Sequence, residues 1–449
     1  MSFTRYQDYD DRGVQWVGKM PRHWKVASLR HSLSGIFNGL TAEQVDSSES
    51  TVPVTRIETI STGVINWEKL GFVSRTDSRA DRRLKFGDIC FSNINSLSMI
   101  GNCAIYTEDR ELYGGMNLLV LRPSANIIPL YLYWVVKSDG FRQVVESLAK
   151  PAINQASISQ SSLLSIGLPI PSVLEQAAIV SFLILETSKI DALVAEQKLL
   201  IELLKEKRQA VISRSVTKGL NPNVPMKDSG VEWLGKVPAH WEVVPLKWLT
   251  QPDRPIMYGI VLPGPDVGVG VPILKGGNVR PSRLRLDALA RTTPEIEAPY
   301  ARARLRQGDL VYSIRGTIGD CELVPIELDG CNITQDVARI APAEEIDAEW
   351  LRFALLSDAV AEDLACGSLG AAVRGINIYD LKRAMLPVPP KIERNEIARA
   401  INAAVKEFET LMEAADLAMT LLRERRSALI SAAVTGKIDV RGLVPPPEA

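Results

Sequence analysis

Two segments, GVQWVGKM (13–20) and GVEWLGKV (230–237), satisfy G-x-x-x-x-G-K, the opening of a loop that cradles nucleotide phosphates. Such a loop needs small residues so that its amides face phosphate, and a Ser or Thr after the lysine for Mg²⁺. Here Trp16 and Trp233 fill the loop, and Met20-Pro21 or Val237-Pro238 follows the lysine. The segments therefore predict tryptophan-pinned turns, with Trp16, Trp24, Trp233 and Trp241 burying large areas. His23 and His240 occupy equivalent places in P-x-H-W. An imidazole acts as general base beside a Ser or Cys nucleophile and an orienting acid, and no such set recurs around either, so both read as packed or hydrogen-bonded. Pro389-Pro390 and Pro445-Pro446 lack the preceding Asn or Asp and the following aromatic of an adenine or cytosine methyltransferase. No carboxylates are arranged for a nuclease metal. The expectation is a chain that is non-catalytic by itself, with no metal and no cofactor of its own.

The remaining chemistry is basic. Formal net charge is -1, which would disfavour a nucleic-acid partner if charge were spread evenly. It is not. Arg280, Arg283, Arg285, Arg291, Arg302, Arg304, Arg306 and Arg315 lie close together, as do Arg75, Arg79, Arg82, Arg83 and Lys85. Either cluster alone fits a solvated face of ion pairs, and their recurrence favours a basic surface. Cys90, Cys103, Cys321, Cys331 and Cys366 form no C-x-x-C and are odd in number, so they are expected reduced. No run of eighteen apolar residues exists, and MSFTRYQDYDD carries acids where a signal peptide would be basic then apolar, so no membrane partner and a cytoplasmic location are expected.

What positions these residues is a duplication. Residues 11–30, DRGVQWVGKMPRHWKVASLR, return as 228–247, DSGVEWLGKVPAHWEVVPLK, with eleven of twenty positions identical. LPIPSVLEQ (168–176) answers to LPVPPKIER (386–394), and LLKEKRQAVISRSVT (203–217) to LLRERRSALISAAVT (421–435). LKFGDICFS (84–92) parallels LRQGDLVYS (305–313), whereas 36–80 and 251–300 match least. A shared scaffold with divergent inserts suggests two related readers of two different targets. Segments such as VPVTRIETI (52–60) and VPILKGGNV (271–279) read as strands, while 130–149 and 349–367 have helical spacing.

After Pro171 the pattern changes. Ser172 and Glu175 form a capping-box signature, and neither Gly nor Pro then occurs until Gly219. Leu183, Ile190, Gln197, Leu204 and Val211 recur at seven with Leu193 and Leu200 between them, a heptad seam. The second copy places Ile401, Phe408, Ala415, Leu422 and Leu429 on the same seam, with Leu411 and Ala418 between. The fold class read from this is α+β: two tandem domains, each followed by a long helix, the helices pairing as an antiparallel coiled coil with pseudo-twofold symmetry. The boundaries are 1–171 for the first domain, 172–218 for the central helix, 219–389 for the second domain, 390–436 for the C-terminal helix and 437–449 for a flexible tail.

Tandem domains opening G-V-x-W-x-G-K-x-P-x-H-W, carrying L-x-x-G-D-[IL], then L-P-[IV]-P with E-[QR], then a long helix ending L-x-E-x-R-x-A-[VL]-I-S-x-x-V-T, resemble the specificity subunit of type I restriction-modification systems. The resemblance covers nearly the whole chain. It implies two target recognition domains, each reading one half of a split sequence in double-stranded DNA. It also implies helices that dock two methyltransferase subunits, joined by restriction subunits. In that family the partners, not this subunit, use S-adenosylmethionine, ATP and Mg²⁺. Base reading then calls for Arg or Lys against guanine and Asn or Gln against adenine, on loops at equivalent places. Arg56 and Lys275 follow equivalent strands, Arg75 and Arg291 the next, and Asn93, Asn95 and Arg315 lie just beyond the GD turns. Gln155 and Arg374 sit before the L-P-x-P exits. Gly87-Asp88 and Gly308-Asp309 read as turn formers. A coiled-coil scaffold with no DNA role is the alternative.

Overall fold

The computed structural model of the protein describes residues 3–97, 99–152, 155–367 and 375–443. The chain forms two compact units: Met1–Gln197 with Leu417–Ala449, and Lys198–Asp416. Among the described residues, no helix is long and apolar enough to cross a membrane.

The first unit is built on a four-stranded antiparallel sheet in the order Leu33–Asn38, Leu118–Pro123, Ile89–Ser92, Cys103–Ile105. Alternation in the central strands buries one face under Tyr131 and Leu132, the other under Ile60 and Leu84. The stretch 130–149, expected helical, forms two helices, Pro129–Lys137 and Asp139–Leu148. Ser138 breaks them: its extended backbone ends the first, and its hydroxyl accepts from the Phe141 amide to cap the second. Strand Gly167–Ile170 then pairs with Lys25–Ser28 and delivers the chain to the helix Val173–Lys218.

The second unit repeats this frame. Its sheet runs Met257–Tyr258, Val337–Ile340, Leu310–Ser313, Cys321–Leu323, and Met385–Val388 pairs with Glu242–Pro245 ahead of the helix Lys391–Val434. The inserts differ. In the first unit Thr51–Val54 pairs antiparallel with Gly71–Ser74 and meets Tyr113 in a single parallel bridge at Val54, whereas Val271–Leu274 pairs antiparallel with Ala290–Thr292 and forms a two-residue parallel ladder with Asn332–Ile333.

Each core takes in parts of both long helices. Ile179, Leu183 and Ile190 join Leu429, Ile430, Ala433 and Val434 in the first; Ile212 and Val216 join Ile397, Ala398 and Ile401 in the second. The seam departs from expectation at its intermediate positions. Leu193, Leu200 and Leu411 are exposed, and the inward places fall one residue later, at Val194, Ile201 and Met412; Ala418 is half-buried beside buried Met419. All four are apolar doublets, and the packed member sits four residues, not three, after the preceding seam residue. Residues 437–443, expected within a flexible tail, are held instead. The Asp439 amide donates to the Thr4 carbonyl, Val440 is buried, and the Arg441 guanidinium lies 4.8 Å from the Tyr6 ring centre.

Candidate nucleic-acid interface

The repeated motifs carry the frame. Gly13 and Gly18 have φ of 74° and 68°, and the Val17 and Gly18 amides both donate to the Val14 carbonyl. The segment thus closes a turn between Tyr9–Asp11 and Lys19–Pro21, and its amides do not face outward as a phosphate loop requires. Trp16 donates to the Gly167 carbonyl at 2.9 Å. His23 Nε2 lies 2.7 Å from Glu175 Oε1, and Trp24 Nε1 donates to the same oxygen at 3.2 Å. In the second unit His240 and Trp241 hold Glu393 at 2.7 and 3.0 Å. P-x-H-W is therefore a clamp on the glutamate in the first turn of each long helix. Ser172 completes the first clamp, exchanging hydrogen bonds with Glu175 through its amide and hydroxyl. Burial pushes the Glu175 carboxyl up, but donation from His23, Trp24 and Ser172 outweighs it and holds the group below the usual glutamate value.

The GD turns share a second device. Asp88, buried, accepts from the Lys85 amide at 2.8 Å, and Arg122 meets both its oxygens at 2.9 and 2.7 Å. Asp309 accepts from the Arg306 amide at 2.8 Å and is gripped by Arg254 at 2.7 and 2.6 Å. The aspartates are equivalent; the arginines are not. Arg122 lies on the strand beside the turn, and Arg254 precedes the strand Met257–Tyr258. The repeat marked the turns but gave no sign of these partners.

Of the candidate readers in the first unit, three come together. Asn93, Asn95 and Gln155 meet in a small sheet where Ile94–Asn95 pairs with Gln155–Ser157, itself paired with Lys150–Ala152. Gln155 is exposed and Asn93 half-buried; Asn95 is engaged by the Ser96 amide and Ser92 hydroxyl. Arg56 and Arg75 stand at opposite ends of the Thr51–Val54 ladder, with Val54 opposite Gly71 and Thr51 opposite Ser74. Arg75 spans both Glu111 oxygens at 3.3 Å, and Arg56 lies 3.6 Å from Glu58. A cleft of about 740 Å³ is lined by Phe37, Asn38, Arg79, Arg82 and Gln160. The Arg82 and Arg122 guanidiniums each sit 5.1 Å from the Phe37 ring centre. Arg79 and Arg82 counted in a basic cluster on sequence but were not singled out as readers.

In the second unit, Lys275 and Arg315 are neighbours. A Cβ at Gly276 would stand 2.9 Å from the Arg315 carbonyl, so the close approach of the two segments requires glycine there. Arg315 is exposed and bridges Gly375, the counterpart of the Ile94–Ser157 pairing in the first unit. Arg374 lies outside the described residues. Arg291 is turned inward and donates to the Gly270 carbonyl at 3.0 Å. Several clustered arginines are paired within the fold, Arg304 to Glu297 at 2.8 and 2.7 Å and Arg280 to Asp320 at 3.2 Å. Cys90, Cys103, Cys321 and Cys331 are buried free thiols, and burial pushes Cys90 and Cys103 up to about 12.

Comparison with known proteins places this architecture. Residues 25–203 match the family model for the type I restriction modification DNA specificity domain. The chain is 32% identical over 436 residues to the putative type I restriction enzyme MjaX specificity subunit of Methanocaldococcus jannaschii, covering 95% of this chain and 96% of that one. It is 26% identical over 289 residues to the EcoBI specificity subunit of Escherichia coli, covering 63% of this chain and 61% of that one. Among solved structures, a chain from work on assembly and conformational transition of the type I R-M system aligns over 95% of this chain and 99% of its own, with TM-score 0.63 and 17% identity. The HsdS subunit of Thermoanaerobacter tengcongensis aligns over 93% and 98%, with TM-score 0.52 and 16% identity.

Proposed function

Because this chain belongs to the specificity subunits of type I restriction-modification enzymes, we propose that its two units each read one half of a bipartite DNA site, and that its long helices seat the methylating partners. It is a DNA specificity subunit of a type I system. The observation that carries the two-reader assignment is that the clamp and the buried GD carboxylate recur in both units while the inserts bearing the candidate readers differ. The subunit supplies recognition; partner subunits supply adenine methylation and ATP-driven cleavage, in the cytoplasm.

Lys275 and Arg315 in one unit, and Gln155, Asn93 and Asn95 in the other, are assigned to base contact; Arg56, Arg75 and Arg291 to fixing register or shaping the inserts; Arg374 keeps its assignment from the sequence as a DNA contact. The test is adenine methylation across the host genome with and without the gene, which should yield one motif with two separated halves. Arg315→Ala should then weaken one half alone by about 1–3 kcal/mol. Uniform weakening on unrelated duplexes would reassign Arg315 to phosphate.

The helices are assigned as an antiparallel coiled coil. Asp191 pairs with Arg426 at 2.9 Å in the first unit, and Arg208 approaches Glu409 at 4.0 Å in the second. Moving C-terminally from Asp191 to Arg208 along one helix moves the partner N-terminally from Arg426 to Glu409 along the other. Leu199 and Leu203, 61% and 52% exposed, have exact counterparts in Leu417 and Leu421, 61% and 55% exposed. Two equal apolar patches fit two equal methyltransferase subunits. At about 1.5–3 kcal/mol per buried leucine, Leu199→Ser with Leu203→Ser should cost one site about 3–6 kcal/mol. The copurified complex should fall from two methyltransferases to one, and retention of two would remove these leucines from the contact.

A further inference from the structure

One loop of the second unit has no place in the scaffold. Between Ile260 and Val271 the sequence VLPGPDVGVG leaves Leu262 81% exposed and Val269 89% exposed. The loop is nevertheless anchored. Thr292 Oγ1 donates to the Pro263 carbonyl at 2.7 Å, the Val267 amide to the Arg291 carbonyl at 3.1 Å, and Arg291 Nη1 to the Gly270 carbonyl at 3.0 Å. Asp266 Oδ1 accepts from the Gly268 and Arg291 amides, both at 3.0 Å. The fold therefore holds a shaped loop and points its largest apolar side chains into water, where they stabilise nothing within the unit.

We propose that Leu262 and Val269 form the apolar part of the second unit's base-reading surface and contact thymine 5-methyl groups in the major groove. The proposal rests on the DNA-reading assignment above. A side chain without donor or acceptor can distinguish bases in that groove only through the thymine methyl. The surroundings suit DNA: the strand leaving the loop, Val271–Leu274, is followed directly by exposed Lys275, and exposed Arg283 lies in the segment beyond. A shared protein partner fits less well. A surface for partners common to both units repeats between them, as Leu199 and Leu203 repeat in Leu417 and Leu421, whereas the region of the first unit before its equivalent strand reads TAEQVDSSES (41–50), almost entirely polar. The apolar loop belongs to what differs between the units, and in this assignment that is the half-site.

The test begins with the motif obtained from genomic adenine methylation; if the wild-type system yields no bipartite motif, the DNA-reading assignment itself fails. Duplexes carrying the motif are then made with each thymine in turn replaced by deoxyuridine. Binding is measured for the full chain assembled with its methyltransferase subunits, as wild type, Leu262→Ser and Val269→Ser. At one or more positions, all within one half, loss of the methyl should weaken wild type about fourfold, the value of one buried carbon. The matching variant should bind thymine and uracil duplexes equally. Uracil tolerated at every position by wild type overturns the proposal, as does the same uracil penalty in wild type and both variants. Variants that bind DNA normally but release methyltransferase subunits would make the loop a protein-docking surface and overturn it too.

Discussion

Replacing Arg254 by alanine is expected to destabilise the second unit by about 3–5 kcal/mol, more than any reader substitution above. Asp309 is a buried carboxylate, its side chain 3% exposed, and Arg254 is itself buried. Without the guanidinium, the carboxylate is left with the Arg306 amide as its donor among the described residues. A buried carboxylate short of a partner costs several kcal/mol. Arg339 cannot substitute cheaply, because it is already buried and donates to the Arg302 and Pro255 carbonyls. In the first unit Arg122→Ala should cost less, about 2 kcal/mol: the Arg122 side chain is 22% exposed, so water can reach the vacated place beside Asp88. Denaturant unfolding of the full chain checks both. A loss below about 1 kcal/mol for Arg254→Ala would mean that the pair behaves as a surface bridge. Arg254→Ala with Asp309→Asn should recover part of the loss, since the amide oxygen still serves Arg306 without a buried charge.

That pair also marks where sequence ceases to specify structure. The scaffold was legible because a duplicated chain must conserve what both copies need: the turn glycines, His and Trp of the clamp, and the glutamate opening each long helix. The clamp's two halves were both visible as motifs, and only the fold joins them across the unit. The arginine on each GD aspartate was hidden because a buried carboxylate needs a cation but not one from a fixed strand. The seam phase was hidden for a different reason. Leu193-Val194, Leu200-Ile201 and Leu411-Met412 are apolar at both residues, so hydrophobicity cannot choose between three and four residues, and packing does. For the readers, arginine spacing says where charge lies along the chain but not that Arg75 is held by Glu111 or Arg291 by a carbonyl. The apolar loop was written in glycine-spaced valines and leucine, a signal visible only once the fold leaves those side chains outside every core.

Glu175→Ala is expected to destabilise the first unit by about 3 kcal/mol or more, and to do so in a pH-dependent way. The carboxylate joins three parts of the unit: it caps the helix beginning at Val173, satisfies the indole of Trp24 in the core, and holds His23. Alanine leaves the buried Trp24 N–H without that acceptor and removes the capping box, about 1–3 and 0.5–2 kcal/mol respectively. The sign with pH follows from the direction of the shift. Glu175's carboxyl is held below the usual glutamate value of 4.5, so its stabilisation is fully present above that value and is lost as pH falls through the folded-state value. The gap between wild type and Glu175→Ala should thus be constant from neutral pH down to about 5 and narrow in more acidic solution. Glu175→Gln separates charge from shape: an amide oxygen can accept from Trp24, so it should retain part of the stability while losing the acid-dependent part. Chemical denaturation at a series of pH values measures this, and a gap that widens on acidification would contradict an ionised Glu175 as the clamp's centre. The same substitution should leave the second unit's unfolding unchanged, because Glu393 makes its own clamp with His240 and Trp241.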